Sequence, residues 1–327
     1  MTMLPCLRQR SAMLQAGATD AEIRAALAAG RFTRLATGVY VDTEPYLALT
    51  PEERYVVRVH AMAARSPGLI VSHLSAAALH GLPLVRTKLG AVHLTRPGNG
   101  GGTRTAARRV HVGELPASMR MTLGGIELTT VARTLVDLGR CEKPATTVTA
   151  ADAALQAGTA TTDLIAAALL EAKFRAGTPA ATRALGCVDG RSESPGESLL
   201  RLSMRGRGLP EPELQVEIYD EEGTFVARVD LAILAFGILI EFDGKKKYTQ
   251  LLRPGEDAVD AVLREKRREE RLTELGWLVI RVSWDDLRNP AELANRILRA
   301  GKARRSLVTA GVIRGKVVTR PPVRLPE

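Results

Sequence analysis

The stretch FVARVDLAILAFGILIEFDGKKKY, residues 225–248, decides the fold. It opens as an alternating strand, with Val226, Arg228 and Asp230 on one face and Ala227, Val229 and Leu231 on the other. The apolar run Leu231 to Ile240 follows. A membrane-spanning helix needs roughly 20 such residues, so this run is too short to be one. It reads as two buried strands joined by a tight turn near Ala235, Phe236 and Gly237. In a hairpin, facing residues share a face and that face repeats every second residue. Asp230 is therefore expected opposite or diagonal to Glu241 and Asp243, which places three carboxylates at one end of a buried hairpin. Like charges at that spacing repel, and burial disfavours them further. A divalent cation with oxygen ligands, Mg²⁺ or Mn²⁺, relieves both penalties. An acid inside VDLAIL has no packing reason to be there, which favours the metal reading. The alternative is a solvated rim carrying ordinary edge charges.

The elements on either side extend this hairpin into a domain. Ser194-Pro195-Gly196-Glu197 opens an amphipathic helix, and Glu197 has a structural role available as the third-position acid of a capping box on Ser194. ELQVEIYD is a strand, and residues 221–223 form a turn into the hairpin. A charged helix from about Asp257 to Leu275 is closed by Gly276, WLVIRVSW is a final core strand, and PAELANRILRAG a final helix. The element order is helix, three strands, helix, strand, helix.

The chain is long enough for about two domains. Hydrophobic residues make up 45% and aromatics only 4%, so the cores rest on Leu, Val, Ala and Ile. A net charge of +10 favours a polyanionic partner, nucleic acid before membrane. Much of the excess lies beyond Arg299, and residues 301–327 read as a solvated, partly disordered basic tail. Cys6, Cys141 and Cys187 are far apart and form neither a metal motif nor a disulfide framework, which suits a reducing cytoplasm. No apolar signal segment or transmembrane run is present. All five histidines lie at or before His111, so a histidine site in the C-terminal half is excluded.

At the N-terminus, residues 3–16 read as a helix and Asp20 as the cap of a second, AEIRAALAAG. RFTRLATGVYV then alternates around Gly38 as a hairpin bearing Arg31 and Arg34. Helix, helix, hairpin is the order of a winged helix-turn-helix, with those arginines placed for phosphate or a groove; a small module with solubilising arginines is the alternative. Thr50-Pro51-Glu52-Glu53 caps a helix running to about Arg65. His73 and His80, in VSHLSAAALHGLPL, fall on one helical face without a third ligand at metal spacing, so they read as packing or cap residues. AVHLTRP, RRVHVGEL and GGIELTT read as strands. The loop Gly98 to Gly102 lacks the phosphate-binding patterns, and Arg104, Arg108 and Arg109 beside it read as a solvated basic face. Three helices follow, forming a helical layer that ends near Gly190.

Two resemblances sharpen these expectations. Through AEIRAALAAGRFTRLATGVYV and VSHLSAAALHGLPL, the first third resembles the N-terminal domain of AbiEi-type antitoxins of abortive-infection systems. That resemblance implies DNA binding, autoregulation of an operon, and a nucleotidyltransferase toxin as partner. Through Glu197, Asp230, IEFDGKKKY, EKRREERLTELGW and WLVIRVSWDDL, residues 192–298 resemble an endonuclease-like domain related to the very-short-patch-repair endonucleases, within the PD-(D/E)xK restriction-endonuclease-like class. This second resemblance implies Mg²⁺-dependent phosphodiester cleavage. Asp230 matches the first motif acid and Glu241 the acid of the triplet. The position two further on is Asp243 rather than the usual lysine, and no downstream histidine is present.

The combined expectation is an α/β (α+β) chain. Residues 1–82 are a winged-helix-like DNA-binding region, 83–190 a mixed middle region, 191–300 a restriction-endonuclease-like domain with a mixed sheet flanked by helices, and 301–327 the tail. Hydrolysis needs a metal to polarise phosphate and activate water. Asp230, Glu241 and Asp243 are the expected metal ligands, with Glu197 and Lys245 completing the catalytic set. Arg31, Arg34, Lys246, Lys247, Arg264, Arg267, Arg268 and Arg271 are the expected nucleic-acid contacts. A solvated helix laced with ion pairs is the alternative for EKRREER. A non-catalytic, antitoxin-like regulator is the alternative function.

Overall fold

The 225–248 segment folds as an antiparallel hairpin. Phe225–Ile233 pairs with Ile238–Asp243, with Leu231 facing Ile240 and Ile233 facing Ile238. A 3₁₀ turn over Leu234–Phe236 and Gly237 at φ +62° close it. That left-handed φ is one a residue without a Cβ adopts at little cost.

The computed structural model describes residues 4–244 and 258–325. The fold is α+β and divides into two units, one of Met1–Ala150, Thr159–Leu185 and Leu325–Glu327, the other of Ala151–Gly158 and Gly186–Arg324. Among the described residues no helix is long and apolar enough to cross a membrane.

The first unit opens with β1 (Arg8–Gln9), α1 (Arg10–Gln15), α2 (Asp20–Ala28), β2 (Phe32–Ala36) and β3 (Val39–Asp42). The strands form an antiparallel sheet in the order β1-β3-β2. The helix expected over 3–16 is thus shorter, because Arg8 pairs with Tyr40 on β3 and its guanidinium forks onto Asp42 at 3.0 and 2.8 Å. The cap of α2 is Thr19 rather than Asp20. Thr19 and Glu22 exchange bonds as a capping box, while Asp20 takes the Arg10 fork. After α3 (Thr43–Leu47) comes α4 (Pro51–Ala63), capped by Thr50 and Glu53 as expected.

A six-stranded mixed sheet follows, built from β4 (Ile70–Val71), β5 (Val92–Pro97), β6 (Thr103–Arg104), β7 (Arg108–Gly113), β8 (Arg120–Leu123) and β9 (Ile126–Thr129). Its order is β6-β7-β5-β4-β9-β8, and α5 (His73–Leu79) leads out of β4. The core joins Tyr55, Val59 and Met62 of α4 to Val71, Ala76, Val92, Leu94 and Leu128. Residues on both sides of position 82 therefore share one core and one sheet. The link is β4, a two-residue strand too short to leave a period in the sequence. Helices α6 (Val131–Cys141), α7 (Pro144–Gln156), α8 (Thr162–Glu171) and α9 (Thr178–Leu185) complete the region; the last turns of α7 count with the second unit.

In the second unit, α10 (Pro195–Met204) precedes β10 (Glu213–Tyr219) and the hairpin strands β11 and β12, bounded as above. Then come α11 (Ala258–Glu274), β13 (Leu278–Ser283), α12 (Pro290–Thr309) and β14 (Lys316–Val318). The sheet order is β13-β12-β11-β10-β14, with β12 and β13 parallel and the other neighbours antiparallel. This is the mixed sheet with flanking helices expected from the sequence. Val216, Val229, Leu239, Leu272 and Trp277 anchor its core.

The basic tail is more ordered than its composition implied. The final helix runs on to Thr309, and Val317 on β14 pairs with Ile218 on β10 while packing on the core. Arg320 then meets Glu217 at 3.6 Å and Arg324 meets Asp189 at 3.2 Å. A few apolar side chains and specific acids hold a segment whose charge alone reads as solvated.

Candidate functional site

The acids of the second unit gather around the start of α10. Ser194 caps that helix by accepting from Glu197 N, and its hydroxyl donates to Glu197 Oε1 at 2.7 Å. The other oxygen accepts from Glu193 N at 2.9 Å and from Gln215 Nε2 at 2.8 Å. The capping role is real, but the returning carboxylate reaches one residue before the cap. Glu197 is buried, and burial together with the nearby Asp230 charge raises its carboxyl pKa to about 7.

Gln215 is buried at φ +53°, a left-handed conformation uncommon outside glycine. It lies between Leu214 and Val216, whose ladder partners Leu231 and Val229 flank Asp230. Asp230 accepts from Phe242 N at 2.8 Å, tying β11 to β12.

One step beyond the Leu231–Ile240 pair stands Glu241. Arg268 of α11 donates to its Oε1 at 2.7 Å and its Oε2 at 3.0 Å, and Arg281 Nε lies 3.8 Å away. Burial works against the Arg268 charge, yet its bonds to Glu265 and Glu241 outweigh that and hold its pKa above the ordinary value. Asp243, half-buried, ends β12 beside Ser283. Lys245, Lys246 and Lys247 lie outside the described residues.

The remaining expected nucleic-acid contacts scatter. Arg267 is exposed and Arg264 half-buried, while Arg271 bonds Asp220 at 2.8 Å. Along α11 Lys266 faces Glu270, four residues on, at 3.9 Å, whereas Glu265 and Glu269 are bridged by Arg281 of β13 at 2.7 and 2.9 Å, so the helix pairs with its neighbouring strand as well as with itself. In the first unit Arg31 and Arg34 are exposed on and beside β2. Arg34 lines a groove of about 550 Å³ with Thr37, Arg65, Thr105 and Arg108.

Among the described residues, the carboxylates of Asp230, Glu241 and Asp243 do not form a group with ligand atoms within 4.8 Å of one another; His73, His93 and His111 do. These histidines come from the first turn of α5, from β5 and from β7. The β5–β7 pairing sets Thr95 beside His111 and His93 beside Arg109. His93 Nδ1 and His111 Nε2 share a hydrogen bond of 3.1 Å, and the His73 ring stacks on His111 with centroids 3.7 Å apart. His73 Nδ1 bonds Ser72 Oγ at 2.9 Å, and Ser72 Oγ accepts from Thr95 Oγ1 at 2.7 Å. Burial pushes all three imidazoles below their ordinary pKa, His93 to about 4 and His111 to about 2, and neighbouring charges including Arg109 add to the effect. They are neutral at physiological pH.

Beside His73, Asp137, fully buried, takes Arg133 at 3.0 Å and Arg140 at 3.0 Å, and lies 4.0 Å from His73 Nδ1. His73 and His111 line a cavity of about 660 Å³ walled by Arg104, Arg109, Arg133, Arg140 and Arg175. Sequence spacing missed this site because its three histidines sit on three elements and meet only through β5–β7 pairing and the turn into α5. His80, the expected face-mate of His73, instead bonds Thr129 O at 2.8 Å. The loop Gly98 to Gly102 and Arg104 and Arg109, read as a solvated face, supply Asn99, Gly102 and two arginines to the cavity wall.

No protein-family model matches the chain. Over 275 residues it is 32% identical to the uncharacterized protein MT2308 of Mycobacterium tuberculosis strain CDC 1551 / Oshkosh, an alignment covering 83% of this chain and 92% of the relative. The uncharacterized protein Rv2248 of strain ATCC 25618 / H37Rv matches with the same identity and coverage. At that identity and coverage, the chain belongs to the same family as these two mycobacterial proteins.

Proposed function

We propose that this chain is a DNA-binding protein of the antitoxin-like, non-catalytic regulatory type, which grips the phosphate backbone through the hairpin of its winged-helix-like segment. The groove beside β2 carries the reading: Arg34, Arg65 and Arg108 line it with Thr37 and Thr105, and among the described residues no carboxylate lines it. Guanidinium and hydroxyl groups lining one groove suit phosphate oxygens, and the net charge of +10 adds long-range attraction. The test is duplex binding over a salt series, with the sequence upstream of its own gene as probe. Arg34→Ala and Arg108→Ala should each weaken binding and flatten the log–log salt slope by about one unit. A slope unchanged in both variants overturns the reading.

A second reading, a Mg²⁺- or Mn²⁺-dependent DNA endonuclease, draws on the buried Glu197, whose carboxyl feels the Asp230 charge, and on the left-handed backbone of Gln215. Perturbed carboxyls and strained residues concentrate at working sites. The side chains as placed do not fit a hard cation, since both oxygens of Glu241 accept from Arg268 and one of Asp230 accepts from Phe242 N. Plasmid DNA incubated with Mn²⁺ decides between the two. Cleavage that disappears in Asp230→Ala would replace the regulatory reading with the enzymatic one.

A further inference from the structure

We propose that His73, His93 and His111 form a three-histidine site for a divalent transition metal, Zn²⁺ by ligand chemistry, whose open position faces the arginine-walled cavity and takes a phosphate-type oxyanion. The inference is independent of the DNA-binding reading, because it rests on different side chains.

The spacing supports ligation. Two imidazole nitrogens bound at about 2.0–2.1 Å to a tetrahedral ion stand about 3.3 Å apart. His93 Nδ1 and His111 Nε2 are 3.1 Å apart, and the ligand atoms of all three histidines lie within 4.8 Å of one another. Binding exchanges the single hydrogen bond between His93 and His111 for two metal bonds, and turns the His73 ring off the face of His111.

The surroundings match what orients such ligands. Histidine ligands are usually held through the ring nitrogen that does not touch the metal. His73 Nδ1 has Ser72 Oγ at 2.9 Å and the Asp137 carboxylate at 4.0 Å, which leaves Nε2 as its ligand atom. His73 also sits at φ +53°, immediately after Ser72 and at the start of α5. A backbone in that region costs free energy, and such strain persists where surrounding structure demands the position. Three merely packed histidines would require neither the strain nor the convergence of three separate elements.

The cavity argues for the oxyanion. Three protein ligands leave a fourth position open on a tetrahedral ion. Asp137 compensates Arg133 and Arg140, whereas Arg104 and Arg109 have no ion-pair partner among the described residues. Uncompensated guanidinium groups beside a metal position favour a planar or tetrahedral oxyanion that bridges the two.

The test uses the full-length chain without an affinity tag, stripped of metal by a chelator and titrated with Co²⁺, whose visible absorption reports tetrahedral nitrogen ligation. One equivalent should bind. His93→Gln and His111→Gln should bind at least tenfold more weakly, and His60→Gln should bind as the wild type does. Should the histidine variants fail to fold, paramagnetically shifted proton resonances from three imidazoles in wild-type protein carry the same information. Inorganic phosphate should change the Co²⁺ absorption, and Arg109→Ala should keep the metal but lose that change. Absence of Co²⁺ binding, equal binding by His93→Gln, or no shifted imidazole signal overturns the metal site. A Co²⁺ spectrum indifferent to phosphate overturns the oxyanion assignment.

Discussion

Arg268 of α11 holds both oxygens of Glu241 on β12, at 2.7 and 3.0 Å. This fork joins the crossover helix to the strand it crosses from, and it occupies the acid that the motif reading assigned to a metal. The pair is part-exposed, at 20% for Arg268 and 17% for Glu241, so its removal costs less than a fully buried pair would. Arg268→Ala is expected to destabilise the second unit by about 2 kcal/mol. Urea unfolding of Arg268→Ala, Glu241→Gln and the double variant measures the coupling; strict additivity would show that the fork contributes nothing.

Glu197 sets a pH dependence. Its folded pKa of about 7 lies above the ordinary 4.5, so between those values the folded state binds more protons than the unfolded chain. Stability therefore falls as pH rises from about 4.5 to about 7, by up to about 3 kcal/mol. Glu197→Gln keeps the shape and removes the titration. Its melting temperature should vary less between pH 5 and 8 than that of the wild type, and parallel curves for the two proteins would refute the assignment.

Asp137 neutralises two arginines of the cavity that His73 and His111 line. It is fully buried, and Arg133 is almost so. Asp137→Ala leaves both cations without their counterion and is expected to cost about 3–5 kcal/mol. A loss below 1 kcal/mol in chemical denaturation would mean that water reaches the arginines.

Gly301 shows how closely α12 approaches the hairpin turn. A Cβ there would collide with the ring of Phe236. In an exposed helix, Gly→Ala gains about 1 kcal/mol. Here Gly301→Ala should instead lose about 1–3 kcal/mol through overpacking. Thermal unfolding gives the sign directly, and a raised melting temperature would contradict the contact.

Local patterning by itself determined much of this protein. Alternation through Phe225 and the apolar run to Ile240 specified the hairpin, because side chains on a strand repeat every second residue whatever surrounds them. The Thr50–Glu53 box and the helices from Ser194 and Pro290 were legible for the same reason, since capping acts within four residues. Tertiary structure alone decided the rest. The two-residue β4 and three-residue β14 carry no period, and they exist because neighbouring strands and Val317 hold them. The fork of Arg268 on Glu241 joins residues 27 apart, and the histidine cluster joins three elements through parallel pairing of β5 with β7. Such sites depend on which strands become neighbours, and that choice is made by burying a shared core rather than by any short run of residues.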